Sequence, residues 1–191
     1  MKKIFVTGFT SFDGDSMNPS ELLVLNLNKR QFAHKKIITK ILPVTFSDSY
    51  LELKNAIEAE KPDVILLCGV AKTRKVISLE KIGINWIDSR IPDNNGQLIA
   101  GEKINPSGPD GLFTKLNIEQ FMTKLADKNW EISYSAGTYV CNYLYYQTLL
   151  HHQIPCVFIH VPGTSEMTND FTAMKNDDLF QFISNFIETC F

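Results

Sequence analysis

Apolar residues along this chain follow two rhythms. Short runs rich in β-branched and aromatic side chains at residues 3–7, 36–44, 64–68, 130–134 and 156–161 read as strands. Segments with helical spacing lie between them. Asn18-Pro19-Ser20-Glu21 opens the first, since Asn or Ser can cap free N–H groups and proline is tolerated in the first turn. From Ser47 to Pro62 the apolar set is Tyr50, Leu51, Leu53, Ala56 and Ile57; later sets are Leu116, Ile118, Phe121, Met122 and Leu125, then residues 143–151. The last segment, 177–190, places Leu179, Phe180, Phe182, Ile183 and Phe186 on one side. The run 64–68 is apolar throughout and closes at Gly69, as expected of a strand covered on both faces. Strands alternating with helices predict a layered α/β fold.

The middle of the chain is less regular. Residues 76–80 and 83–88 alternate like strands, Asp93-Asn94-Asn95-Gly96 carries a hairpin-turn signal, and the glycines and prolines of 97–111 imply a surface loop or short ribbon. No repeat or linker interrupts the 191 residues, so one domain over 1–191 is expected.

With 44% hydrophobic and 21% charged residues the composition is that of a soluble globular protein, and a net charge of −2 offers no basic stripe for nucleic acid. Lys2-Lys3 precedes an apolar run that Thr7, Gly8, Thr10 and Ser11 cut short, so no export signal is expected. The longest apolar run, 64–71, falls far below the roughly 20 residues of a membrane helix. Four cysteines without a C-x-x-C pair suggest free thiols in a reducing cytoplasm. No metal motif, dinucleotide fingerprint or P-loop is present, and no cofactor is expected.

Candidate chemistry centres on Cys141. The small polar turn Ser135-Ala136-Gly137-Thr138 delivers it to the start of a helix, where unpaired N–H groups and the positive end of the dipole favour thiolate. Cys68 and Cys156 lie in apolar strands as buried hydrophobes, and Cys190 sits at the end of the chain. A cysteine nucleophile needs a histidine base and a group that orients it. His34 lies in a polar connection and His151-His152 close a helix, whereas His160 stands at the carboxyl end of a strand, where α/β sheets gather ligands. Glu80 is an acid within an apolar run: an edge residue paired with Lys75 or Lys81, or a buried acid with a task. Arg90 could hold a carboxylate or pair with Asp88 or Asp93; Phe9 and Phe12 could be core or an apolar ligand pocket.

Five segments, in order, resemble the pyroglutamyl peptidase I family of cysteine peptidases: Val6-Thr7-Gly8-Phe9-Thr10-Ser11-Phe12 with Asn18-Pro19-Ser20; Ile77-Ser78-Leu79-Glu80-Lys81-Ile82 with Asn85; Asp88-Ser89-Arg90-Ile91-Pro92-Asp93-Asn94; Ser135-Ala136-Gly137-Thr138-Tyr139-Val140-Cys141-Asn142; and Phe158-Ile159-His160-Val161-Pro162. The resemblance implies removal of N-terminal pyroglutamate from peptides by a Cys141 nucleophile, a His160 base and a Glu80 that orients the imidazole. It implies that Phe9 and Phe12 sandwich the pyrrolidone ring, that Arg90 assists the oxyanion region, and that Ile91, Tyr139 and Val140 join the pocket wall. It implies a three-layer α/β/α sandwich of the phosphorylase/hydrolase-like type, with an open, twisted, mostly parallel mixed sheet, in a cytoplasmic homo-oligomer, a tetramer or dimer. Two departures stand out: Val70 occupies a position where the family often has a polar glutamine, and Gly163-Thr164-Ser165-Glu166 replaces a bulkier pattern after a short Cys141-to-His160 spacing. Hydrolysis of another small acyl amide by the same residues, and a silent pyroglutamyl-peptide-binding protein, stay open as alternatives.

Overall fold

A computed structural model describes residues 1–125, 129–168 and 173–191. In chain order the strands are β1 (Lys2–Phe9), β2 (Lys35–Leu42), β3 (Val64–Ala71), β4 (Ile77–Glu80), β5 (Ile82–Ile84), β6 (Gly111–Phe113), β7 (Trp130–Ser133) and β8 (Cys156–Pro162). The helices are α1 (Pro19–Leu27), α2 (Ser49–Glu60), the short α3 (Phe121–Lys124), α4 (Val140–His151), the short α5 (Ser165–Thr168) and α6 (Asn176–Cys190).

Six strands form one sheet in the order β2-β1-β3-β8-β4-β7. Every neighbouring pair is parallel except β4 with β8, which makes the sheet mixed. Side chains alternate across it. Ile4, Val6, Leu66, Cys68, Val70, Ile159 and Val161 face α1 and α6, while Phe5, Phe9, Ile65, Leu67 and Phe158 face α2 and α4. Both faces are covered, which is why β3 and β8 read as nearly unbroken apolar runs. Asn18 caps α1 through its side chain, which accepts from Ser20 N–H, with Pro19 in the first turn as the sequence predicts.

Three expectations change. The strand expected over 83–88 pairs only as far as Ile84, because the Asn142 side chain takes the backbone N–H and C=O of Ile84 and the C=O of Trp86. Beyond it the backbone bonds are scattered, among them the isolated Ile87–Glu102 bridge and Ser89 N–H to Ile99 O, so the Asp93–Gly96 turn ends an irregular ribbon rather than a regular hairpin. The helix expected around Leu116 to Leu125 begins as a 3-10 turn, Ile118–Gln120, before α3; the Met122 side chain lies outside the described set. Among the described residues no helix is long and apolar enough to cross a membrane.

Candidate active site

The carboxyl ends of β1, β3 and β8 meet on the α2/α4 side, and β4 brings Glu80 to the same face from the opposite direction. Glu80 is 0% exposed and His160 5%. Two antiparallel neighbours set them together: Glu80 pairs with Phe158, and His160 with Ser78. Their side chains close the remaining step, His160 Nδ1 lying 2.7 Å from Glu80 Oε1. The Phe158 ring, 4.7 Å from the imidazole between centroids, supports it from beside.

Cys141 is the second residue of α4, and Tyr139 N-caps the helix from an extended backbone. The thiol is held against the sheet at Gly69, whose register partner on β8 is His160. A Cβ at Gly69 would stand 3.0 Å from Cys141 Sγ and 2.8 Å from Phe158 Cζ, so only glycine leaves room for the sulfur there. Asn142, the next residue, fixes the helix start to β5 through its three side-chain hydrogen bonds.

Charge in this cleft is finely opposed. Burial, then the Glu80 carboxylate, push the Cys141 thiol up to about 12, against smaller lowering effects of its own backbone N–H and Arg74. Cys141 is half-buried, with its sulfur packed close to Gly69. The helix start alone favours thiolate; here burial outweighs it and favours the thiol. Burial lowers His160 below its ordinary value, with Glu80 acting the other way. Both shifts favour the neutral forms, thiol and imidazole, and the Glu80 contact places the proton of a neutral imidazole on Nδ1.

The aromatic residues flank this centre. Phe9 is buried and leans on Phe158, with centroids 6.5 Å apart; Phe12 is half-buried and leans on Tyr139 at 6.2 Å. Phe46, which the sequence did not single out, meets Tyr139 and Tyr143 edge-on, each at 5.6 Å. Buried Asp93 holds that wall: its carboxylate accepts from Phe46, Asn95 and Gln97 N–H groups. Tyr139 donates to Pro92 O, one residue beyond half-buried Ile91. The Val140 side chain is fully buried in the core, so it can meet a ligand only through its backbone. Arg90 is exposed and makes no hydrogen bond or ion pair among the described residues. Neither Lys75 nor Lys81 is the cation seen on Glu80: Lys81 pairs with Glu119 at 2.6 Å, and Arg74 reaches Glu80 Oε1 at 2.7 Å. Val70 points into the α1/α6 core, away from the thiol, so that departure alters the far side of the sheet.

Comparison with known proteins gives one answer. The family described as pyroglutamyl peptidase matches residues 2–178. A pyrrolidone-carboxylate peptidase of Thermococcus litoralis is 37% identical over 179 residues, 90% of this chain and 81% of that protein. The crystal structure of a mutant pyrrolidone carboxyl peptidase from P. furiosus superposes with a TM-score of 0.90 at 34% identity, covering 97% of this chain and 96% of that one. The pyrrolidone carboxyl peptidase of Fervidobacterium islandicum AW-1 gives 0.91 at 30% identity, over 98% and 97%. Sequence and fold thus agree along nearly the whole length, and the chain belongs to the pyroglutamyl peptidase family.

Proposed function

We infer that this protein is a cysteine peptidase that removes N-terminal pyroglutamate from peptides, with Cys141 as nucleophile, His160 as base and then acid, and Glu80 as the group that orients the imidazole. The observation that carries this reading is the buried Glu80–His160 contact of 2.7 Å on the face where Gly69 makes room for the Cys141 sulfur. With Nδ1 bound to Glu80, Nε2 is left for the thiol. Because the resting groups are neutral, the proton passes from Sγ to Nε2 as sulfur attacks the carbonyl that joins the ring to the peptide. Glu80 stabilises the imidazolium so formed. The imidazolium then protonates the departing amine, and water, activated by the same nitrogen, hydrolyses the thioester. N–H groups at the start of α4 supply donors to the oxyanion.

Phe9, Phe12 and Tyr139, backed by Phe46, form the slot for the flat ring. A narrow slot of this kind accepts a flat neutral lactam, whereas the charged amine of an N-terminal glutamate or glutamine would have to shed its hydration to enter. The same reading carries a cytoplasmic homo-oligomer: the four cysteines are free, and exposed Trp86, Leu98 and Phe113 are surface that an assembly would cover. Light scattering on the purified protein tests the assembly. The activity is tested with a chromogenic pyroglutamyl amide under reductant. Wild type releases the amine and Cys141→Ala does not, with a loss of about 10³-fold or more; full activity in the variant ends the assignment.

A further inference from the structure

Arg74 sits in the connection from β3 to β4, six residues before Glu80, and turns back over it. Its side chain is 23% exposed while that of Glu80 is 0%, so the guanidinium closes the carboxylate off from water. Nη1 lies 2.7 Å from Glu80 Oε1, the oxygen that also takes His160 Nδ1. The Nη1 contact lacks hydrogen-bond alignment and acts as charge, and Glu80 Oε2 is buried without a hydrogen-bond partner among the described residues. Nη2 donates to Ser135 O at 2.8 Å, in the turn that leads to Cys141. One side chain therefore spans the acid of the site and the backbone that delivers the thiol.

We propose that Arg74 is a positioning residue of this site: it fixes the Glu80 carboxyl group on His160, offsets the negative charge that Glu80 presents to Cys141, and ties both to the Ser135 turn. The proposal rests on the peptidase reading above. Its logic is one of balance. An acid buried beside a nucleophilic thiol opposes formation of the thiolate, although it is needed to stabilise the imidazolium. A cation on the same carboxylate oxygen offsets the first effect and, although it also lowers His160, leaves the Nδ1 contact with Glu80 to stabilise the imidazolium. The groups that face Cys141 are Glu80 from β4, Arg74 from the connection, His160 from β8 and Tyr139 from the turn before α4; Asp13 and Asp93 act on Tyr139. Arg74 is the cation among them.

The test uses Arg74→Gln, Arg74→Lys, Glu80→Gln and the Arg74→Gln/Glu80→Gln pair. Loss of the Arg74 charge lets both Cys141 and His160 titrate higher, since Arg74 lowers each. For Arg74→Gln the acid limb of kcat/KM moves up by roughly one pH unit, and alkylation of Cys141 by iodoacetamide at neutral pH slows roughly tenfold. The double variant recovers much of the alkylation rate, because the charge needing balance is gone. Arg74→Lys keeps the wild-type limb and lowers kcat, as it holds the charge without the fork. A merely structural tether would lower the melting temperature and leave both titrations in place, and that result overturns the proposal. If Arg74→Gln does not fold, Arg74→Lys decides: a displaced limb or an unchanged kcat counts against it. Absence of amide cleavage in the wild type defeats the peptidase reading, whereas the alkylation series then judges Arg74 by itself.

Discussion

The two faces of the central sheet are built from the same strands and do different work. Val70, Val161 and Leu79 point toward the α1/α6 layer, where they join Leu23, Phe182 and Phe186 in one apolar cluster. Their chain neighbours Gly69, His160 and Glu80 point the other way, toward α2 and α4, and include an absent side chain, an imidazole and a carboxylate. A one-residue step thus separates packing from chemistry, because side chains alternate across a strand. The apolar face packs the sheet without any charged side chain in its cluster, and the other face carries the buried charge at its carboxyl edge. Such groups are costly unless partnered, and here Glu80 has His160 and Arg74.

Perturbing one face at a time tests this division. On the chemical face, Glu80→Gln removes the partner of the imidazolium, and kcat falls by about 10³-fold with the fold retained, read by turnover and circular dichroism. A fall of less than about tenfold would deny Glu80 its orienting role. On the apolar face, Phe186→Ala removes a fully buried ring packed edge-on against Phe121 at 5.2 Å. It costs about 3–5 kcal/mol in urea unfolding, yet kcat/KM of the folded fraction stays within about twofold. A large change in kcat/KM would mean that the faces are coupled. Gly69→Ala falls between the two, as its new methyl group displaces Cys141 Sγ and Phe158: about 10–100-fold is lost from kcat, along with about 1–3 kcal/mol of stability. The smallest effect is on pH. If His160 is the base proposed above it must be neutral to take the thiol proton, and since burial lowers its titration the acid limb of kcat/KM falls below the ordinary histidine value of about 6.5. An acid limb above that value would contradict the buried, neutral imidazole.

Much of this organisation is legible along the chain. The runs at 64–68 and 156–161 mark the central strands, Asn18-Pro19 marks α1, and the polar turn before Cys141 marks α4, because each is a local consequence of periodicity, capping or turn chemistry. Gly69 reads only as the end of a strand, whereas the ladder to β8 runs through it to Ala71. Arg74 and Glu80 are close in sequence, but Lys75 and Lys81 are nearer still and give the local choice of partner. Alternation sends Lys81 toward Glu119 while the connection folds Arg74 back over Glu80. Asn142 shows the same limit from the other side, since its amide ends a strand that the pattern at 83–88 predicts to continue.

By itself, then, the sequence determines most of the strands and helices and the sense of layering, as these follow from composition and spacing within about 15 residues, while the roles of Cys141, His160 and Glu80 are what the resemblance of five ordered segments implies. Tertiary structure alone decides which charge faces which. The antiparallel placement of β4 beside β8 brings Glu80 to His160 across 80 positions of chain. The packing of Cys141 beside Gly69 and Glu80 makes burial outweigh the helix start and pushes the thiol up. Electrostatic energies depend on distance and on exclusion of water, and neither is set until distant strands have paired.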